Sequence, residues 1–116
     1  MRRTLLAIAF SLAFLSTAHA QCAATQVPVR VYLMYGLVSG LMSSGMSDLV
    51  GKLNRIKNVK ASVHEWLESG SIASDAEKQN AAIVIGGHSI GANAAVTAAR
   101  HLNGKKRVAL LLGFDP

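Results

Sequence analysis

Gly87-His88-Ser89-Ile90-Gly91 sets a serine between two glycines in the pattern G-x-S-x-G. An apolar run, Ala82 to Ile85, ends just before it, and an alanine-rich helical run begins at the serine. A serine on a sharp strand-to-helix turn has its hydroxyl pushed into the open, where it can attack an acyl carbonyl. Side chains two residues before and two after would collide across such a turn, so Gly87 and Gly91 answer a steric need. The N–H of Ile90 then lies at a helix N-terminus, where partial positive charge stabilises an oxyanion.

Other readings of the same residues explain less. A helix N-cap serine accounts for Ser89 and the helix start but not for both glycines. A dinucleotide loop needs G-x-G-x-x-G with an acidic residue about 20 positions on, and both are missing. The G-K-[ST] of a phosphate-cradling Walker loop is absent too. Four dispersed histidines, one cysteine near the N-terminus and no H-E-x-x-H make no metal ligand set, and no cofactor is expected.

The elements that must position Ser89 follow from hydrophobic periodicity. Val29 to Tyr35 (VRVYLMY) is β-branched and aromatic and predicts a strand. A Gly/Ser-rich loop from Gly36 to Ser44 follows it. Met46, Leu49, Val50, Leu53 and Ile56 recur at helical spacing, predicting a helix from about Ser44 to Arg55. Asn58 to His64 alternates as a half-buried strand. Ser74-Asp75-Ala76-Glu77 has the form of a capping box and predicts a helix start there.

Ala82 to Ile85 is a short, continuously apolar strand, and Ser89 to Leu102 is a helix stopped by Asn103-Gly104. Arg107 to Leu112 is a fourth strand. Strands alternating with helices imply right-handed crossovers and an α/β fold in three layers around a mostly parallel sheet of about four strands. Sites in such sheets gather at the carboxyl ends of the strands. Tyr35-Gly36, His64, Gly87 to Ser89 and Gly113 to Asp115 fall on that edge.

Composition limits the setting. Arg2 and Arg3, an apolar core from Leu5 to Leu15, and Ala18-His19-Ala20 form a secretory signal peptide over residues 1–20, with cleavage expected after Ala20. That core is shorter than the roughly 20 residues of a membrane-spanning helix, so no stable insertion is expected after cleavage. The destination is periplasmic or extracellular. Residues 21–28 form a loose mature N-terminus, and Cys22 within it lacks the small-residue pattern that precedes a lipidated cysteine.

Loss of Arg2 and Arg3 takes the net charge from +6 to +4. The lysine and arginine clusters at residues 52–60 and 105–107 lack interleaved aromatics. They read as solvated element ends, and no nucleic-acid partner is expected.

"VYLMYGL", "SSGMSDLVGKL", "VIGGHSIGANAA" and "VALLLGFDP" together resemble the nucleophile-bearing part of an α/β-hydrolase of the lipase and thioesterase type, in an exported bacterial branch. The resemblance covers residues 29–116, read as a partial α/β-hydrolase domain, and it implies a spatial strand order of second, first, third, fourth. It implies that Ser89 is the nucleophile and that the loop after the first strand gives a second oxyanion N–H, from Leu37 or Gly36. Asp115, in Gly113-Phe114-Asp115-Pro116, matches a position where some members carry the triad acid. It also reads as a strand terminator.

The superfamily order serine, acid, histidine places the base beyond Asp115, which implies a chain truncated after the strand that follows the nucleophile helix. His88 precedes the nucleophile and diverges from it. His64 reads as a pocket wall, a partner for Trp66, or a general base. His101, at a helix C-terminus, reads as a surface residue.

The implied function is hydrolysis of a small-molecule acyl ester or thioester. A non-catalytic hydrolase-fold binding protein and an inactive truncated fragment are the alternatives.

Overall fold

Tyr32, Leu33 and Met34 are almost completely buried although they are consecutive in one strand. A strand can bury both of its faces only when layers lie above and below it. The computed structural model, which describes residues 27–37 and 44–114, has that arrangement. Its element order is β1 (Val29–Met34), α1 (Ser44–Leu53), β2 (Val59–His64), a 3₁₀ turn (Trp66–Glu68), α2 (Ser69–Lys78), β3 (Ala82–His88), α3 (Ile90–Leu102) and β4 (Val108–Phe114). The strands form one parallel sheet in the order β2-β1-β3-β4.

Alternation along β1 divides the core. Val31 and Leu33 point to α1 and meet Met46 and Ala61, with Leu49, Val50 and Leu53 around them. Tyr32 and Met34 point the other way, into Ile72, Ala73 and Ala76 of α2 and Ala94, Ala95, Ala98 and Leu102 of α3. Each large side chain buried this way stabilises the fold by about 1.5–3 kcal/mol. The alanines of α3 leave room for the helix to lie close to β3, whose Ile83 and Ile85 are fully buried beneath it.

The strand boundaries differ from the sequence expectation by one to three residues: β1 and β2 are each one residue shorter, β4 starts one residue later and ends two later, and β3 ends three later. β3 continues through Gly86 and Gly87 to His88 because Met34, Leu112, Gly113 and Phe114 supply backbone partners there. The predicted helix start at Ser74 is wrong. Ser74 and Asp75 lie inside α2, and the chain turns into the helix earlier, where the Glu65 N–H donates to Glu68 Oε2 at 2.6 Å.

Asp75 has a long-range role instead. Its carboxylate accepts the Tyr32 hydroxyl proton at 2.5 Å and a Gln79 amide hydrogen at 3.2 Å, tying α2 to the central strand. The pattern S-x-x-E is a local signal, and it was outweighed by a tyrosine oxygen that burial of its ring leaves in need of a partner.

The two outer strands differ. On β2, the Asn54 side chain accepts from the Ala61 N–H at 2.7 Å and donates to the Ala61 carbonyl at 3.0 Å. β4 runs Val-Ala-Leu-Leu-Leu-Gly-Phe, with Leu110, Leu111 and Phe114 exposed at 50%, 42% and 40%. β4 pairs with β3 through a register irregularity at Ile83/Val84.

The Tyr32–Asp75 pair makes stability depend on pH. The Tyr32 hydrogen bond holds the Asp75 carboxyl below its usual range; burial opposes it less strongly, and the Gln79 hydrogen bond and the Arg30 and Lys78 charges add smaller lowering effects. A depressed folded-state pKa gives stability that is present above the unfolded value, about 3.9, and is lost as pH falls through the folded value. Urea midpoints measured from neutral to acid pH should therefore fall more steeply below about pH 4 in the wild type than in Tyr32→Phe. Parallel curves would rule the pair out as the cause.

Candidate functional site at the β3–α3 turn

β3 ends at His88 and α3 begins at Ile90, so Ser89 alone turns the chain. Its backbone sits at φ 56°, ψ −130°. Among the described residues only Asn58 shares a positive φ without being glycine. Such a conformation costs about 1–3 kcal/mol and persists only when its surroundings enforce it.

Those surroundings are specific. The Ser89 N–H donates to the Phe114 carbonyl at 3.0 Å, and the Ala92 N–H donates to the Ser89 carbonyl at 2.8 Å. A Cβ on Gly87 would land on the Gly91 carbonyl, and one on Gly91 would strike the Met34 and Tyr35 carbonyl oxygens. Both glycines let backbone meet backbone, Gly87 across the turn and Gly91 against the end of β1.

Ser89 is the N-cap residue of α3, yet its side chain makes no capping hydrogen bond. Its residue is exposed and its hydroxyl is left free of the helix. A capping role therefore does not explain the residue. Ile90, half-buried, opens the helix, where the first N–H groups have no partner within the helix.

The loop after β1 comes to the same place. Gly36 is buried, and a Cβ there would lie 3.3 Å from Ser89 Cβ and 3.6 Å from Ser89 Oγ. The end of β1 is fixed by the Tyr35 N–H, which donates to the His64 carbonyl at 2.9 Å. The Tyr35 hydroxyl meets Ser47 Oγ at 2.8 Å, which adds a link to α1. Leu37 follows Gly36 with an exposed side chain. Gly36, Gly87, Ser89, Ile90 and Gly91 thus meet at one turn, with Gly36 beside the Ser89 hydroxyl.

The histidines are not. His88 ends β3 opposite Phe114 and is half-buried. His64 is level with Gly87, since both pair with Met34, but it stands two strands away on β2. Its Nε2 lies 2.6 Å from Ser62 Oγ, its Nδ1 lies 3.7 Å from Glu68 Oε1, and its ring sits 5.8 Å from that of Tyr32. Its partners are these three residues; a pairing with Trp66, one of the alternatives left open by the sequence, is not among them. Among the described residues no side chain makes a hydrogen bond to the Ser89 hydroxyl.

Sequence reasoning missed Ser62 and Glu68. The alternation of β2 could have found the first, because residues two apart share a strand face. His101 is exposed at the end of α3, as expected. Asp115, Cys22 and the predicted leader, residues 1–20, lie outside the described residues.

A groove of about 280 Å³ runs beside Ile90, walled by Trp66 and Leu67 and continued along α3 by Asn93, Ala94 and Thr97. Two larger hollows, of about 680 and 780 Å³, lie near Lys106 and Arg107 at the amino ends of the strands. The strands point away from those hollows and toward Ser89, so the smaller groove is the one next to the site. Among the described residues, no three His, Cys, Asp or Glu side chains gather to hold a metal ion. None of the described helices is long and apolar enough to cross a membrane.

The close approach at Gly91 makes a sharp prediction. Gly91→Ala should cost about 1–3 kcal/mol, because main chain at the end of β1 must move to admit a methyl group. The measurement is a lower urea midpoint with an unchanged slope. Gly70→Ala, at a helix position with open space around it, is the control and should not lower the midpoint.

No family model matches this chain, and no curated protein or solved structure shows significant similarity to it.

Proposed function

We propose that this chain is an exported serine hydrolase of acyl esters or thioesters, of the α/β-hydrolase type, with Ser89 as nucleophile. One observation carries the reading. Ser89 holds a strained backbone conformation between two glycines that backbone contact requires, and its hydroxyl does no capping work. A strained backbone at an exposed serine whose hydroxyl makes no capping bond fits a hydroxyl presented for reaction.

In this reading Ser89 Oγ attacks the acyl carbonyl, and its oxygen develops negative charge between the N–H of Ile90 and an N–H of the Gly36–Leu37 loop. The groove beside Ile90 receives the acyl part of a small-molecule substrate. Asp115 serves as the acid that orients a histidine, which the superfamily order places after it. That histidine takes the Ser89 proton and returns it to the leaving alcohol or thiol. No cofactor, metal or nucleic acid enters the reaction. Residues 1–20 direct export, and the mature chain begins at Gln21 in the periplasm or outside the cell.

A second reading is favoured by one feature: among the described residues no histidine is hydrogen-bonded to Ser89. Without an adjacent base a serine is a weak nucleophile at neutral pH, and the same turn and groove would bind an acyl ligand without turning it over.

A fluorophosphonate separates the two. In the first reading the adduct maps to the peptide carrying Ser89 and is lost in Ser89→Ala, with circular dichroism unchanged. A wild-type protein with no adduct on that peptide supports ligand binding only. Export is tested on protein recovered from outside the cytoplasm, where N-terminal sequencing should begin at Gln21.

A further inference from the structure

The end of β2 brings together a second hydroxyl, an imidazole and a carboxylate. Ser62 and His64 are two residues apart in a strand, so their side chains share one face. Ser62 Oγ lies 2.6 Å from His64 Nε2. On the other side of the ring, Glu68 Oε1 lies 3.7 Å from His64 Nδ1. Glu68 is held in place, because its second oxygen accepts the Glu65 N–H at 2.6 Å. The ring itself rests against Tyr32, at 5.8 Å between centroids and tilted by 42°.

This order has a chemical direction. A carboxylate beside Nδ1 favours the tautomer with its proton on Nδ1, which leaves Nε2 as an acceptor for the serine O–H. A hydroxyl paired with a base, and a base oriented by an acid, is the arrangement that activates a serine. Ser62 is half-buried, and the His64 and Glu68 side chains are 23% and 44% exposed, so the cluster is open to solvent on the His64–Glu68 side.

We propose that Ser62 is a second nucleophile of this protein, with His64 as its general base and Glu68 as a positioning residue, acting on small activated acyl esters. The proton of Ser62 passes to His64 Nε2 as Oγ bonds to the acyl carbon. The bond from that carbon to the leaving oxygen then breaks, and the leaving group departs with the proton from His64. Water repeats the sequence on acyl-Ser62, releasing the carboxylic acid and restoring the serine. The site lies on β2, apart from the Ser89 turn on β3, and does not depend on the role assigned to Ser89.

The groups around the ring are Glu68 from the 3₁₀ turn, Tyr32 from β1, Arg30 over the Tyr32 ring at 4.5 Å, and Asp75 from α2, bound to the Tyr32 hydroxyl.

The test uses the full chain with p-nitrophenyl acetate. Acetyl groups are located by peptide mapping, which reads Ser62 and Ser89 on separate peptides. Wild-type protein should acetylate on Ser62. His64→Gln should slow that step by about 100-fold or more. Glu68→Gln should slow it less, and Glu68→Asp should restore part of the rate. An unmodified Ser62 in the wild type would overturn the proposal even if a variant fails to fold. Equal rates in a folded His64→Gln would do the same.

Discussion

The structure is organised around the meeting of three backbones at the carboxyl end of the sheet. β3 must stop, reverse and become α3 within one residue, and the new helix must clear the end of β1 while doing so. Gly91 is where it clears, with the Met34 and Tyr35 carbonyls pressed against its Cα. The positive φ of Ser89 and the Phe114 carbonyl on its N–H are the local means by which the reversal is held. A bulkier chain at any of these points would push the helix away from the sheet.

That closeness explains the composition of α3. Near that anchor the inner face of the helix carries small side chains, Ala92, Ala95 and Ala98, and a large one, Leu102, comes only at its far end. The bulk needed to fill the layer comes instead from the sheet and from α2, through Tyr32, Ile83, Ile85 and Ile72. α1 covers the opposite face of β1 and β2 with ordinary large residues, because no comparable approach constrains it.

Elements set by local periodicity were legible in the residues alone. The apolar runs of β1 and β3, the spacing of Met46, Leu49, Val50 and Leu53, and the glycines around Ser89 all express short-range rules. The strand order followed from the family resemblance, which extended to the loop that meets Ser89. What escaped notice depends on contacts distant in sequence or on a change of helix type. Tyr32 reaches Asp75 across forty-three positions, and that bond stands where a capping box was expected. Glu68 comes beside His64 only because a 3₁₀ turn tightens the chain after β2.

The amide of Asn54 has a consequence for assembly. By occupying both the N–H and the carbonyl of Ala61, it takes the place that a neighbouring strand would need along β2. β4 has no such stopper among the described residues, and its side chains carry no charge to repel an incoming strand. Extension of the sheet is therefore polar: a fifth strand, whatever chain it came from, would join beside β4 and not beside β2.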